Sequence, residues 1–241
     1  LLRTLDLGSI DAVDQAAEVY VRLTVSGATG ATGNNRIDNI VLDATPATPL
    51  TKDLNVSVFL EGLYESAGTM HKAQGSSGDQ FPGTVADKVT IELHDGSNYS
   101  TIVYSIPDVD LNQDGSIATT LPAAYNGDYY ITIVHRNSIT TTTASPVSFS
   151  GSAISYAFDA AAKAYGSNLL DKNDGFFVIY GGDVNQDGSI DSGDVTPFDN
   201  DQFNYVTGYA VTDVNGDGSI DSGDGTIIDN NQFSYIYAMF P

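Results

Sequence analysis

The chain has 241 residues, no cysteine and no tryptophan, and its 31 acidic against nine basic residues give a formal charge of −22. That balance repels nucleic acid and anionic lipid and invites metal cations. The missing thiols exclude disulfides, zinc-thiolate centres and cysteine nucleophiles, and no apolar run approaches the ~18 residues of a membrane helix.

The opening "LLRTLDLGSID" carries no leader pattern and reads as a mature or internal piece of something longer. In residues 1–44, "RTLDL", "EVYVRLTVSG" and "RIDNIVLDAT" alternate apolar and polar positions, as in Val19, Val21, Leu23 and Val25, which predicts strands. Three strands cannot enclose a core. They therefore read as the C-terminal part of a β-sandwich, incomplete alone, or as strands that complete a neighbour's sheet. "ATPATPLTK" follows, with three Thr and two Pro in nine positions and no alternation, so residues 45–52 are expected to form a stiff linker.

From 53 to 180 the alternation returns in "LNVSVFLEGLY", "VTIELH", "STIVYSI" and "DYYITIVHR", separated by the turn signals "DGSN", "NQDG" and "NGD". About seven short strands in this length fit an immunoglobulin-like or transthyretin-like sandwich. One helix is expected at "DAAAKAYG", residues 159–166, with Gly166 as its cap.

Residues 181–241 hold eleven Asp and no Glu, Lys or Arg, half of the 22 net negative charges. They form a tandem repeat: "DVNQDGSIDSGD" begins at 183 and "DVNGDGSIDSGD" at 213. Each loop leads into a segment with Pro197 or Thr226 near its start and apolar residues at Phe198, Phe203 and Val206, or Ile227, Ile228, Phe233 and Ile236, compatible with one short amphipathic helix per copy.

Counted from its first Asp, each loop places oxygen side chains at positions 1, 3, 5, 9 and 12: Asp183, Asn185, Asp187, Asp191 and Asp194, then Asp213, Asn215, Asp217, Asp221 and Asp224. The main-chain carbonyls of Ser189 and Ser219 add a sixth donor at position 7. Gly188 and Gly218 permit the positive torsion that a tight wind needs, while Ile190 and Ile220 are expected to point away from the metal and to pair with each other. Six or more oxygens converging on one point suit a hard cation, so two calcium ions are expected. Acidic turns are often merely solvated, but a ligand pattern repeated in register argues against that. Bound calcium would act as a cross-link, adding ~4 kcal/mol at a free concentration a thousandfold above Kd.

The D-x-N-x-D-G-x-(apolar)-D-x-x-D loop, with Asp at position 12, resembles the type I dockerin duplication. That resemblance implies a small α module of two antiparallel loop-helix units and, in some relatives, a face for a cohesin-like receptor. "YYITIVHRNSI", "SPVSFS" and "AYGSN", leading into "YGGDVNQDG", resemble the sandwich-plus-dockerin ends of large secreted proteins of Bacteroidetes-type bacteria. "NRIDNIVLDAT" looks like the last strand of a jelly-roll-type module. The expected class is thus mainly β, and the implied location is extracellular or cell-surface.

A weaker copy, "DLNQDGSIATTL" at 110–121, has Ala118 and Leu121 at positions 9 and 12 and reads as a hairpin. His71, His94 and His135 lie in no catalytic motif and read as surface or strand-end residues; Glu61, Glu65 and Glu92 show no sign of converging. The Asn55 and Asn98 sequons and Thr140–Thr143 are candidate glycan acceptors. The leading expectation is a non-catalytic, calcium-stabilised structural subunit of an extracellular surface or fibre-forming assembly, joined to copies of itself or to neighbouring domains. The alternative is an accessory protein-binding module of a secreted carbohydrate-active enzyme.

Overall fold

The computed structural model describes residues 51–241; the strands expected at 1–44 and most of the expected linker lie outside the described residues. The linker's last two residues belong to a strand. β1 (Thr51–Ser57) buries Lys52, Leu54 and Val56 on one side and exposes Thr51, Asp53 and Asn55 on the other, the period-two pattern its sequence carries.

Seven further strands follow: β2 (Val85–Asp95), β3 (Asn98–Asn112), β4 (Ser116–Pro122), β5 (Asp128–His135), β6 (Ser138–Thr142), β7 (Val147–Ser148) and β8 (Ala153–Ala157). In a three-stranded sheet β1 is central, parallel to β8 and antiparallel to β4. The five-stranded sheet runs β6-β5-β2-β3, with β7 also on β5. Leu54, Val56, Ile117, Leu121 and Ile154 of the first sheet and Val89, Ile91, Leu93, Ile131 and Ile133 of the second join one hydrophobic cluster, so the sheets form a β-sandwich. Short two-stranded ribbons decorate it.

The turn signals act in two ways. "DGSN" closes the β2-β3 hairpin, with Asp95 Oδ1 accepting from the Ser97 and Asn98 amides at 2.8 and 3.0 Å. "NQDG" instead joins β3 to β4, which lie in different sheets, so the expected hairpin is a corner between sheets. The helix expected at 159–166 is absent. Two 3-10 turns, Ala161–Lys163 and Tyr165–Ser167, stand there, because Gly166 takes φ 65° inside the second turn instead of capping a helix.

The repeat supplies two α-helices, α1 (Ser192–Phe203) and α2 (Ser222–Phe233). Both begin about five residues before the expected Pro197 and Thr226, because Asp191 and Asp221 act as N-caps in capping boxes closed by Asp194 and Asp224. The amphipathic expectation was too generous. Phe198 and Ile228 are buried, whereas Phe203 and Phe233 are 82% and 78% exposed. Val184, Ile190, Phe198, Val214, Ile220 and Ile228 belong to the same hydrophobic cluster as the sandwich, and Thr51–Pro241 form one unit.

Candidate functional site

Each carboxylate loop is wound by its own side chains. In the first, Asn185 Oδ1 accepts from the Asp187 amide and Asp187 Oδ1 from the Ser189 amide, both at 2.9 Å. Asp194 reaches back to accept from the Val184 amide at 2.8 Å and the Asp191 amide at 2.9 Å. The second loop repeats this pattern through Asn215, Asp217 and Asp224, with distances of 2.9, 2.8 and 2.9 Å to the Asp217, Ser219 and Asp221 amides. At position 6, Gly188 and Gly218 take φ 88° and 83°, the torsion that favours glycine.

Both isoleucines are buried in the same hydrophobic cluster. Ile190 is buried and its amide donates to Ile236 O at 2.9 Å; isolated bridges join Ser189 to Tyr237 and Ser219 to Thr207. Each loop is therefore laced to the segment that follows the opposite helix. A pseudo-twofold pair results.

At the centre of each loop sits an unusual carboxylate. Asp183 and Asp213 are 1% and 0% exposed, and Oδ1 of each is buried without a hydrogen-bond partner. Burial, reinforced by the Asp194 and Asp187 carboxylates, pushes Asp183 up to about 7. Burial also pushes Asp213 up to about 7; the Arg136 guanidinium opposes this and Asp224 adds to it. Burial likewise raises Asp194 and Asp224. Among the described residues no three His, Cys, Asp or Glu side chains are already gathered as a metal cage, since the outer carboxylates are turned to backbone amides. Each loop nonetheless offers only oxygen donors to a cation: four carboxylates, one carboxamide and the main-chain carbonyl at its seventh position. That all-oxygen set fits a hard divalent cation and does not fit a soft one.

The weaker copy at 110–121 has no comparable centre. Lys88 pairs with Asp110, Thr84 donates to Asn112, Asp114 turns to the Ser116 amide at 3.0 Å, and Leu121 is core.

His71 is half-exposed and His135 ends β5, as the sequence reading allows, but His94 and His135 are both buried. His94 is buried, stacks on Tyr99 at 4.1 Å and bonds Tyr99 O at 2.6 Å. His135 is buried between Asp87 and Ser138, and burial keeps its imidazole below its usual pKa. Burial alone would raise Asp87, but His135, Arg136 and the Tyr209 hydroxyl together hold it at about 2. Arg136, stacked on Tyr209 at 4.4 Å, and Asn137 then reach the second loop; His71 donates to Asn215 O at 2.7 Å. Sequence reasoning passed over all three supports.

Glu61 also has a structural role, accepting from the Gly181 amide at 2.9 Å and from Asn231 at 2.6 Å. Thr141, Thr142 and Thr143 are buried, which removes them as glycan acceptors; Asn98 is exposed at a hairpin tip, and Asn55 on the outer side of β1.

A second surface is duplicated with the loops. Tyr205 and Tyr235 follow the two helices with φ 54° and 55° and are 88% and 84% exposed, beside the exposed Phe203 and Phe233. A groove of about 450 Å³ runs from Asp191 to Phe233 and Tyr235. No helix of the described residues is long and apolar enough to cross a membrane.

No family model matches the chain, and no curated protein matches it. Two solved structures of type II cohesin-X-dockerin complexes from Acetivibrio cellulolyticus, a C-terminal and an N-terminal interface mutant, align with 75% of this chain and 95% of theirs, at 16% and 15% identity and TM-scores of 0.44 and 0.43. A DUF3823 family protein from Parabacteroides merdae aligns over 44% of this chain and 42% of its own, at 15% identity and a TM-score of 0.23. These values assign no family. The type I dockerin resemblance, and with it the likeness to Bacteroidetes-type protein ends, is corrected accordingly: the chain is similar to these structures only in being mainly β, and its two helices rest on a sandwich core instead of forming a recognised helical module.

Proposed function

We propose that this chain is a non-catalytic structural module of an extracellular surface assembly, an immunoglobulin-like sandwich whose two carboxylate loops are cross-linked by calcium. The observation that carries the reading is the pair of buried Oδ1 atoms on Asp183 and Asp213 that accept no hydrogen bond. A buried carboxylate without a partner is costly, and two at equivalent places in one fold argue for a cation at each. Asp183, Asn185, Asp187, Asp191, Asp194 and the Ser189 carbonyl would hold the first ion; Asp213, Asn215, Asp217, Asp221, Asp224 and the Ser219 carbonyl would hold the second. Calcium would neutralise charge and tie each loop to its helix start.

An extracellular place suits this chemistry, since extracellular modules bind calcium at about 10⁻⁴–10⁻³ M. Assembly with copies of itself or with neighbouring domains rests on the strands read at residues 1–44. Calorimetric calcium titration of the intact chain, beside an Asp187→Ala/Asp217→Ala variant, tests the core of the proposal. Binding of two ions that the variant loses is expected. Equal melting of the wild type with calcium and with chelator sinks it.

A second reading, a protein-binding module, is favoured by the exposed Phe203, Tyr205, Phe233 and Tyr235. Large apolar side chains exposed in a duplicated arrangement mark interaction surfaces. A pull-down of extracellular proteins by the wild type, and not by a Phe203→Ala/Phe233→Ala variant, is the expected outcome. Equal recovery by both removes this reading.

A further inference from the structure

We infer that the two loops are unequal: the second is held ready for its cation by Arg136, Asn137 and His71 of the sandwich and binds it more tightly, while the first supports itself through Gln186 and is the exchangeable site. The inference rests on the calcium reading above. The twelve-residue segments differ at one position, the fourth, where Gln186 stands in the first and Gly216 in the second. Both residues take positive φ, 57° and 70°. Gln186 Nε2 donates to the carbonyl of Asp183 at 2.6 Å, bracing the start of its loop from within. In the second loop the equivalent carbonyl, on Asp213, accepts from Arg136 Nη1 and Asn137 Nδ2, each at 2.9 Å.

Packing disfavours the reverse exchange. A Cβ on Gly216 would stand 2.3 Å from Leu63 Cδ2, so a side chain there must displace the buried Leu63 where the sandwich abuts the loop. The sandwich that disfavours the glutamine provides its donors instead. It adds His71 Nε2 to Asn215 O at 2.7 Å and the Gln74 amide to Gly216 O at 2.9 Å. The first loop meets the sandwich through Gln186 at 3.4 Å from Ser138 O and through the Gly182 amide just ahead of it. Accordingly Asn185 is exposed while Asn215 is half-buried.

Arg136 also contacts Asp87, its Nε 3.2 Å from Oδ2, so its charge is largely balanced and does not stand alone against an incoming cation. Hydrogen bonds that fix ligands before a metal arrives change its affinity by about 10- to 100-fold. Asp87, Arg136 and Asn137 thus act as positioning residues for the second site.

Asp187→Ala leaves only the second loop intact and Asp217→Ala only the first; both positions are exposed, so the fold tolerates them. Calcium titration should give a Kd at least about tenfold lower for Asp187→Ala than for Asp217→Ala. Calcium should also raise the melting temperature of the intact chain's sandwich more in Asp187→Ala than in Asp217→Ala. Asn137→Ala added to each should weaken binding about tenfold only where the second loop remains. Equal affinities and equal melting shifts in the two single variants overturn the inference and leave the calcium reading standing. Absence of calcium binding in the wild type overturns both.

Discussion

The sandwich and the repeat that packs on it are stabilised by different means. The sandwich buries Leu54, Ile91, Leu93, Ile131 and Phe149 completely, and its stability is that of any well-filled apolar core. Residues 181–241 contribute few core side chains, carry eleven carboxylates and wind their loops by polar bonds. One region is held by apolar contacts that carry no charge, and the other has its conformation written in groups that repel one another. Joined by Arg136, Asn137 and His71, they make a fold whose robust part braces its charged part.

The largest expected effect lies in the apolar region. Phe149→Ala empties a completely buried site against Tyr129 and should cost about 3–5 kcal/mol by denaturant unfolding, with and without calcium alike. A loss that depends on calcium would mean the regions are less separable in their energetics than their composition suggests.

Chelation addresses the other region. At free calcium a hundredfold above Kd, each site should add about 2.7 kcal/mol, seen as a rise in melting temperature that EDTA reverses. A rise unchanged in the Asp187→Ala/Asp217→Ala variant would locate the ion elsewhere.

Acid tests the joint between them. Asp87 is held at about 2 in the fold against an ordinary value of 3.8. Its stabilisation, about 2 kcal/mol, is present above pH ~4 and lost as pH falls toward 2. In chelator, the wild type should lose stability over that window, and Asp87→Asn, already weaker, should lose less. Parallel acid curves for the two proteins would contradict the assignment.

The smallest effect concerns the strained tyrosines. Tyr205→Gly and Tyr235→Gly relieve positive φ at exposed positions and should be neutral or stabilising by up to about 1 kcal/mol. A clear destabilisation in thermal melts would show that these rings pack on something in solution.

Much of this was legible from residue order. The 30-residue offset between Asp183 and Asp213, the oxygen spacing and the turn glycines are local features, and the loops wind as that spacing requires. Strand alternation in "LNVSV" and "VTIELH" located β1 and β2 for the same reason. What stayed hidden depends on neighbours distant in the chain. His94 and His135 sit on strands where either face is possible, and only the opposing sheet decides that both are buried. Phe203 and Phe233 fall at helical spacing but lie past the last turn that touches the core. The single readable trace of the joint was Gln186 opposite Gly216, whose meaning needs Leu63 to be seen beside it.

The central place of β1 has a mechanical consequence. The chain enters the described unit at Thr51 along a strand paired on both sides, to Ala153–Ala157 in parallel and to Ser116–Pro122 in antiparallel register. Tension applied ahead of Thr51 runs along that strand and perpendicular to its ladder bonds. The two ladders are loaded in shear and must yield together, as in a clasp pulled lengthwise, whereas an edge strand would have only one ladder to resist the pull.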